Sequence, residues 1–124
     1  MHNFKELKVW QNAMSLTKAI YLITDQFPDK ERFGLTSQIR RSAVSIPSNI
    51  AEGSGRGTDK DFVHFLHITF GSACELETQI ILANELTYIS HLQTEEINNQ
   101  INEIKRMLIG LKKKLKANES SQIF

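Results

Sequence analysis

Apolar residues recur every three or four positions along four stretches of this chain, which is the spacing of one face of an α-helix. The fourth stretch is the most regular, because its apolar residues alternate steps of four and three in a heptad seam. No stretch alternates apolar and polar residues for long enough to predict a β-strand. The four faces consist of Val9, Trp10, Ala13, Met14, Leu16, Ile20, Ile23 and Phe27; Leu35, Ile39, Ala43, Ile46 and Ile50; Phe62, Phe65, Leu66, Thr69, Phe70, Ala73, Leu76, Ile80 and Ala83; and Ile97, Ile101, Ile104, Leu108, Leu111 and Leu115.

Breaker and capping residues set the limits of these helices. The first helix is expected to end before Pro28, and Thr58 and Thr94 are expected to cap the third and fourth helices. Pro47 lies inside the second helix, where it cannot donate a hydrogen bond to the carbonyl of Ala43. We therefore expect a bend at Pro47 rather than an end.

Four amphipathic helices with short connections predict an all-α protein, an antiparallel up-and-down four-helix bundle whose second helix is bent at Pro47. A chain of 124 residues is expected to form one domain. We assign residues 1–117 to the bundle and expect residues 118–124 to be a frayed or disordered tail.

The composition is that of a soluble globular protein, with 40% hydrophobic and 23% charged residues. The single cysteine, Cys74, excludes an internal disulfide and favours a reducing compartment. The first ten residues lack the apolar segment of a signal peptide, and no apolar run is long enough to cross a bilayer. These features predict a cytoplasmic protein without a membrane partner.

The net charge of +1 hides a segregated distribution of charge. No lysine or arginine lies between Lys60 and Lys105, whereas residues 105–116 carry six positive charges and no acid. The helix dipole explains only one or two of these. An up-and-down bundle gathers the starts of helices one and three with the ends of helices two and four, so its basic residues collect at one end. We call this the basic end: Lys5, Lys8, Arg56, Lys60, Lys112, Lys113, Lys114 and Lys116.

Acidic residues accompany the basic end but dominate the other one. Four acids share the basic end: Glu6, Glu52, Asp59 and Asp61. The opposite end is expected to hold six acids against Lys30 and Arg32: Asp25, Asp29, Glu31, Glu85, Glu95 and Glu96. Basic surfaces of this kind bind phosphate backbones largely without reading sequence, although a solvated basic end without a partner is the plain alternative.

The glycine-rich stretch 53–57 does not fit a nucleotide-binding loop. Such a loop follows a strand and carries a Gly-Lys-Ser/Thr sequence. These glycines instead follow a predicted helix, and Arg56 is the only charged residue among them. A helix C-cap and turn is the better interpretation, with a weaker anion-binding role left open for Arg56 and Lys60.

No catalytic or metal-binding constellation is evident. His64, His67 and Cys74 are compatible with one helix face, but a zinc site needs three or four converging ligands and no second cluster is present. We therefore expect no metal, no cofactor and no enzymatic activity.

The segment "QIRRSAVSIPSNIAEGSGR", from Gln38 to Arg56, closely resembles a family of small bacterial four-helix bundle proteins encoded by intervening sequences within 23S ribosomal RNA genes. The resemblance extends through "FKELKVWQNA" at the start and "FVHFLHITFGSACELETQIILA" in the third helix. It implies a bundle bent at its proline and a homopentamer with a central channel.

The accessory proteins of diversity-generating retroelements look similar. These form basic barrels that bind nucleic acid and a reverse transcriptase. By analogy, the resemblance implies a nucleic-acid role for Arg40, Arg41, Arg56 and the lysines of the basic end. Five-fold assembly would repeat each lysine around a ring, and the candidate interface residues are Trp10, Tyr21 and Tyr88.

Two hypotheses follow from the sequence. The first is a non-enzymatic oligomer that binds structured RNA or DNA through backbone phosphates, using Arg40, Arg41, Arg56, Lys60, Lys112, Lys113, Lys114 and Lys116. The second is an oligomeric scaffold that recruits a partner protein, such as a reverse transcriptase, and does not bind nucleic acid.

Overall fold

The computed structural model describes the backbone of residues 3–123 and the side chains of residues 3–118. It contains four α-helices: α1 (Lys8–Thr24), α2 (Leu35–Ser54), α3 (Asp59–Glu85) and α4 (His91–Ile123). Short 3-10 turns at Phe4–Glu6 and Asp29–Glu31 precede α1 and α2. Residues 3–123 contain no β-strand, which confirms the prediction of an all-α fold.

Each helix packs on the next one along the chain, and α1 closes the bundle against α4. Over residues 3–123, the diagonal pairs α1–α3 and α2–α4 have no Cα atoms within 8 Å of each other. The order is antiparallel, since Asn12 of α1 contacts Met107 of α4 at 3.3 Å, whereas Gln26, just after α1, contacts Gln93 at 3.1 Å. The predicted up-and-down bundle is therefore confirmed.

The bundle core is formed by the four apolar faces that the sequence predicts, with a few residues at its boundary. Met14, predicted as part of the first face, is instead 38% exposed. Trp10, Ile23, Phe70 and Leu111 are only partly buried and pack against the core from outside. Phe27 is buried although α1 ends at Thr24, and its ring packs against that of Tyr88 with the centroids 5.4 Å apart. The residues of the predicted faces that are fully enclosed are Val9, Ala13, Leu16, Ile20, Phe27, Leu35, Ile39, Ala43, Ile46, Ile50, Phe62, Leu66, Thr69, Ala73, Leu76, Ile80, Ala83, Ile97, Ile101, Ile104, Leu108 and Leu115.

One of the two predicted helix caps is confirmed and the other is wrong. The Thr58 side chain accepts a hydrogen bond from the Asp61 backbone N–H at 3.1 Å, as expected of an N-cap. At the start of α4, however, Ser90 caps the helix through the Gln93 N–H, and the Gln93 side chain accepts from the Ser90 N–H. Thr94 lies inside α4, because this reciprocal pair starts the helix one turn earlier.

Helix α2 continues through Pro47, which is buried. Proline has no N–H to donate to the carbonyl of Ala43. The hydroxyl of Thr17 in α1 takes this place, since it lies 3.2 Å from that carbonyl oxygen. A neighbouring helix thus satisfies the acceptor that the proline leaves open.

Helices α2 and α3 lie very close together beside Gly53. A Cβ atom at this position would lie 2.6 Å from the Cβ of Phe65 and 3.0 Å from Cδ1 of Phe62. The absence of a side chain at Gly53 therefore lets the end of α2 lie against the start of α3.

Helix α4 extends to Ile123, so its backbone passes the domain boundary expected at Ala117. The division into residues 1–117 and a tail over 118–124 stays a prediction, and Phe124 lies outside the described residues. Within residues 3–123, no helix combines the length and the apolar character needed to cross a membrane.

Candidate nucleic-acid interface

The antiparallel order brings the basic end together as the charge pattern predicts. Arg56 lies in the turn after α2, Lys60 in the first turn of α3, and Lys112–Lys116 in the part of α4 that packs beside the first half of α3. Lys8 opens α1 at the same end, preceded by Lys5 in the first 3-10 turn. Six of the eight predicted binding residues are therefore assembled there.

Arg56 is held in place by two contacts at the edge of the basic end. Its guanidinium lies 2.9 Å from the carboxylate of Glu52 and 4.9 Å from the ring centroid of Phe65. Both partners of the ion pair are about half exposed, so the pair orients Arg56 more than it stabilises the fold. Part of the Arg56 charge is thereby balanced within the chain.

The lysines of the basic end are less engaged. Lys60, Lys113 and Lys114 are exposed, and none of them forms an ion pair within the part of the chain whose side chains are described. Two other cations of the 105–116 segment are occupied internally, because Lys105 pairs with Glu77 and Arg106 pairs with Glu103. Within the 105–116 segment, the charge available to a ligand therefore comes from the lysines beyond residue 111.

Lys112 and Lys116 lie one turn apart on the side of α4 that faces α3. Their positive charges, together with His64, add to partial desolvation in holding the pKa of His67 below its usual range, with desolvation as the largest cause. His67 and Lys112 line the same pocket. At neutral pH the imidazole of His67 is mainly uncharged.

A pocket lies between α3 and α4 at this point. Leu66 and Leu108 form its buried floor, Phe70 and Ile109 its sides, and His67 and Lys112 its polar edge. Sequence reasoning considered His67 only as a metal ligand and did not find the pocket. The helical spacing of residues 66, 67 and 70 was the available signal, but it does not reveal which residues of α4 lie opposite.

Arg40 lies in the other half of the bundle, away from the basic end. Its Nε donates to the Thr24 hydroxyl at 2.9 Å, its Nη2 lies 3.0 Å from the Asp25 carboxylate, and its guanidinium lies 4.6 Å from the ring centroid of Tyr21. The sixteen residues that separate it from Arg56 correspond to about 24 Å of helix. These contacts tie the start of α2 to the end of α1, so Arg40 has a structural role.

Arg41 also lies away from the basic end. It is exposed beside a shallow groove between α2 and α3, where Glu75 offers an opposite charge. The structure thus brings six of the predicted residues together and places Arg40 and Arg41 elsewhere. The analogy that suggested these two arginines carried no information on their place in the bundle.

The glycine-rich stretch forms the turn that the sequence favours. The backbone N–H of Gly55 donates to carbonyls at the end of α2, and Gly57 has a positive φ of 93°, which glycine adopts without strain. Within the described residues, no group of three or more His, Cys, Asp or Glu side chains is placed to hold a metal ion. His64 instead packs edge-on against Phe65, with ring centroids 5.8 Å apart.

Trp10, Tyr21 and Tyr88, the residues suggested for an interface between subunits, differ in how accessible they are to a second subunit. Trp10 packs against the ring of Phe4 and the core, and Tyr88 donates a 2.8 Å hydrogen bond to Glu31. Tyr21 is 43% exposed, although the Arg40 guanidinium lies over its ring.

Known proteins share the sequence and the architecture of this chain. Residues 5–110 match the family described as 23S rRNA-intervening sequence protein. A similar solved structure is that of a protein with unknown function from the S23 ribosomal protein family of Bacteroides thetaiotaomicron VPI-5482. It is 30% identical, the alignment covers 85% of this chain and 95% of that chain, and the TM-score is 0.77. A search of curated proteins finds no match.

Proposed function

The chain belongs to the family of 23S rRNA-intervening sequence proteins, and on that premise we propose that it is a non-enzymatic RNA- or DNA-binding bundle. One observation carries the proposal. Lys60, Lys113 and Lys114 are exposed and form no ion pair among the described side chains, and they lie at the end that also holds Lys112 and Lys116. Clustered ammonium groups attract phosphates and release the counterions condensed on them.

The position of the lysines favours backbone recognition rather than sequence reading. Lys60 lies in the first turn of α3, and the others lie on α4, which continues beyond them to Ile123. Their flexible side chains act as point charges rather than as rigid forks. Structured RNA or DNA would thus be held through phosphates. Arg56 is fixed by Glu52 and Phe65 and contributes a contact of defined direction.

Homo-oligomerisation, as a pentamer, is part of this proposal. It is supported by apolar side chains that remain exposed on the outer faces of α1, α2 and α3, since surface of this kind favours association. A ring would present each lysine several times, and a multivalent surface binds far more tightly than one subunit. These exposed residues are Met14, Tyr21, Val44, Ile68, Ile81 and Leu82.

We propose a cytoplasmic site of action, where Cys74 would remain reduced. The proposal includes no cofactor and no metal.

The experiment is a titration of the protein against mixed-sequence RNA and DNA at several salt concentrations, with the assembly state measured by light scattering. If an assembly contacts about five phosphates, the logarithm of the binding constant falls with a slope of about −4 to −5 against the logarithm of salt concentration. The triple variant Lys112→Glu, Lys113→Glu, Lys114→Glu should flatten this slope.

A matched control separates local from overall charge. The triple variant Lys18→Glu, Lys30→Glu, Arg32→Glu changes the net charge equally but lies outside the basic end. It should retain most of the slope. Equal loss in both variants, or no binding to either polymer at low salt by a folded protein, would refute the proposal.

A second candidate function is a scaffold that recruits a partner protein, such as a reverse transcriptase. It is favoured by large apolar side chains exposed at the end opposite to the basic end, since exposed apolar surface marks protein contacts. Phe33 is 91% exposed, Leu22 75% and Leu92 66%. The same titration separates the two candidates, because a scaffold would assemble without binding either polymer.

A further inference from the structure

We propose that the pocket between α3 and α4 receives one unpaired nucleobase, so that the strand bound at the basic end is single-stranded at this point. The inference rests on the proposed nucleic-acid function and names the form of the nucleic acid that the site takes. The base would enter between His67, Phe70 and Ile109, and the flanking phosphates would lie on Lys112 and Lys116.

The chemistry of the pocket is that of a flat heterocycle with an attached anion. Its floor is apolar, since Leu66 and Leu108 are each only 1% exposed, and Ile109, at 39% exposure, forms an accessible side. A bare phosphate would leave this apolar surface uncovered. A base would cover it and stack on the aromatic rings of His67 and Phe70, and such stacking tolerates any sequence because every base has a π-face.

The polar edge supplies the rest of the nucleotide contact. His67 and Lys112 lie at the edge of the same pocket, and Lys116 follows Lys112 by one turn on the same helix face. The depressed pKa of His67, caused first by desolvation and then by Lys112 and Lys116, keeps its ring mainly neutral at pH 7. A neutral imidazole stacks on a base, while the ammonium groups carry the charge that phosphates require.

The cations also extend along one direction. Lys60 lies about two turns before His67 on α3, and α4 runs antiparallel beside it, so Lys60 lies toward Lys116 rather than away from it. A strand that follows these lysines passes over the mouth of the pocket. A base within a duplex is stacked and paired and cannot enter, so duplex would bind only through its phosphates.

The test compares three probes of equal length: a mixed-sequence single strand, the same single strand with abasic sites throughout, and the corresponding duplex. We expect the single strand to bind about tenfold or more tightly than its abasic counterpart at the same salt concentration, as stacking of a base normally gives. The salt slopes of the two single strands should be equal, because both carry the same phosphates.

Two histidine variants locate the effect. His67→Ala removes the ring at the edge of the pocket and should abolish the preference for base-bearing strand without changing the salt slope. His64→Ala is the matched control, because His64 is exposed on the preceding turn of α3 but does not line the pocket. Circular dichroism verifies that both variants fold, which is expected since both side chains are exposed.

The outcomes separate the two proposals. Equal binding of all three probes with a common salt slope overturns the base pocket and leaves phosphate binding intact. Loss of the preference in both histidine variants, or in neither, places the base contact elsewhere and also overturns the assignment. No binding of any probe at low salt overturns both proposals.

Discussion

The hydroxyl oxygen of Thr17 lies 3.2 Å from the carbonyl oxygen of Ala43, on the neighbouring helix, at the point where Pro47 has no N–H to offer. The same hydroxyl lies 2.8 Å from the carbonyl oxygen of Ala13, so its single proton is shared between the two. This contact links α1 to α2 and lets a buried proline remain inside a helix.

We expect Thr17→Val to destabilise the protein by about 1 kcal/mol, because it leaves the Ala43 carbonyl without a donor at nearly constant side-chain volume. Thr17→Ser keeps the hydroxyl and should cost less. In a Pro47→Ala background the backbone N–H returns, so Thr17→Val should then cost little. Urea unfolding of the four combinations measures this coupling, and equal costs in both backgrounds would exclude it.

Gly53→Ala should destabilise the protein by about 1–3 kcal/mol, because the new Cβ meets the Cβ of Phe65 and forces α2 and α3 apart. Gly71→Ala is the matched control. Gly71 also lies inside a helix, but nothing stands within 4 Å of its added Cβ, so alanine there should stabilise the protein by about 0.5–1 kcal/mol. Thermal unfolding compares the two, and the same sign of change for both would contradict the prediction.

Tyr88 and Glu31 give the stability a defined dependence on pH. The hydrogen bond from the Tyr88 hydroxyl, followed by that from the Leu35 N–H, lowers the pKa of Glu31 from its ordinary 4.5. A lowered carboxyl pKa stabilises the fold fully above the unfolded value, and this contribution disappears as pH falls through the folded value. Wild type should therefore exceed Tyr88→Phe in urea midpoint at pH 6, and the difference should narrow by pH 3.

The control for this pair is Glu31→Gln, which keeps the shape of the side chain and removes its charge. In the Glu31→Gln background at pH 6, Tyr88→Phe should lower the urea midpoint only as little as it does in the wild-type background at pH 3. A gap between wild type and Tyr88→Phe that is constant from pH 6 to pH 3 would mean that the Glu31 carboxylate takes no part.

His67 should report polyanion binding directly. Desolvation, Lys112 and Lys116 lower its pKa in the free protein, and phosphates on the two lysines would offset their positive charge. Proton NMR between pH 5 and 8 should therefore show the His67 pKa rising when RNA or a polyphosphate is added. The signals of His91, at the start of α4 in the opposite half of the bundle, are the internal reference. A polymer that binds without moving the His67 pKa would place its phosphates elsewhere.

The helices were predictable because each buries a continuous apolar face at helical spacing. The end of α1 and the start of α4 were harder to predict. Phe27 continues the apolar pattern of α1 from outside the helix, and Thr94 imitates a cap although Ser90 and Gln93 form one first. At both helix ends, the local sequence pattern does not distinguish a residue inside the helix from one just beyond it.

The candidate site was predicted in part, through its charges. Counting lysines along the chain and assuming antiparallel order places Lys60 and Lys112 at one end, because connectivity alone decides which helix ends meet. Arg40 carries the same charge but is engaged by Asp25 and Tyr21, and no feature of the sequence distinguishes it from a free cation.

The sequence by itself determined the four helices, their apolar faces and the separation of charge between the two ends, because these depend on residue spacing and on the order of the chain. Only the tertiary structure decided which donor replaces the missing N–H of Pro47, which arginines remain available, and that His67 faces Lys112 across a pocket. These relationships join residues far apart in the chain, and they depend on the rotation and register of one helix against the next. Side-chain packing sets that rotation and register, and the period of a single helix does not contain it.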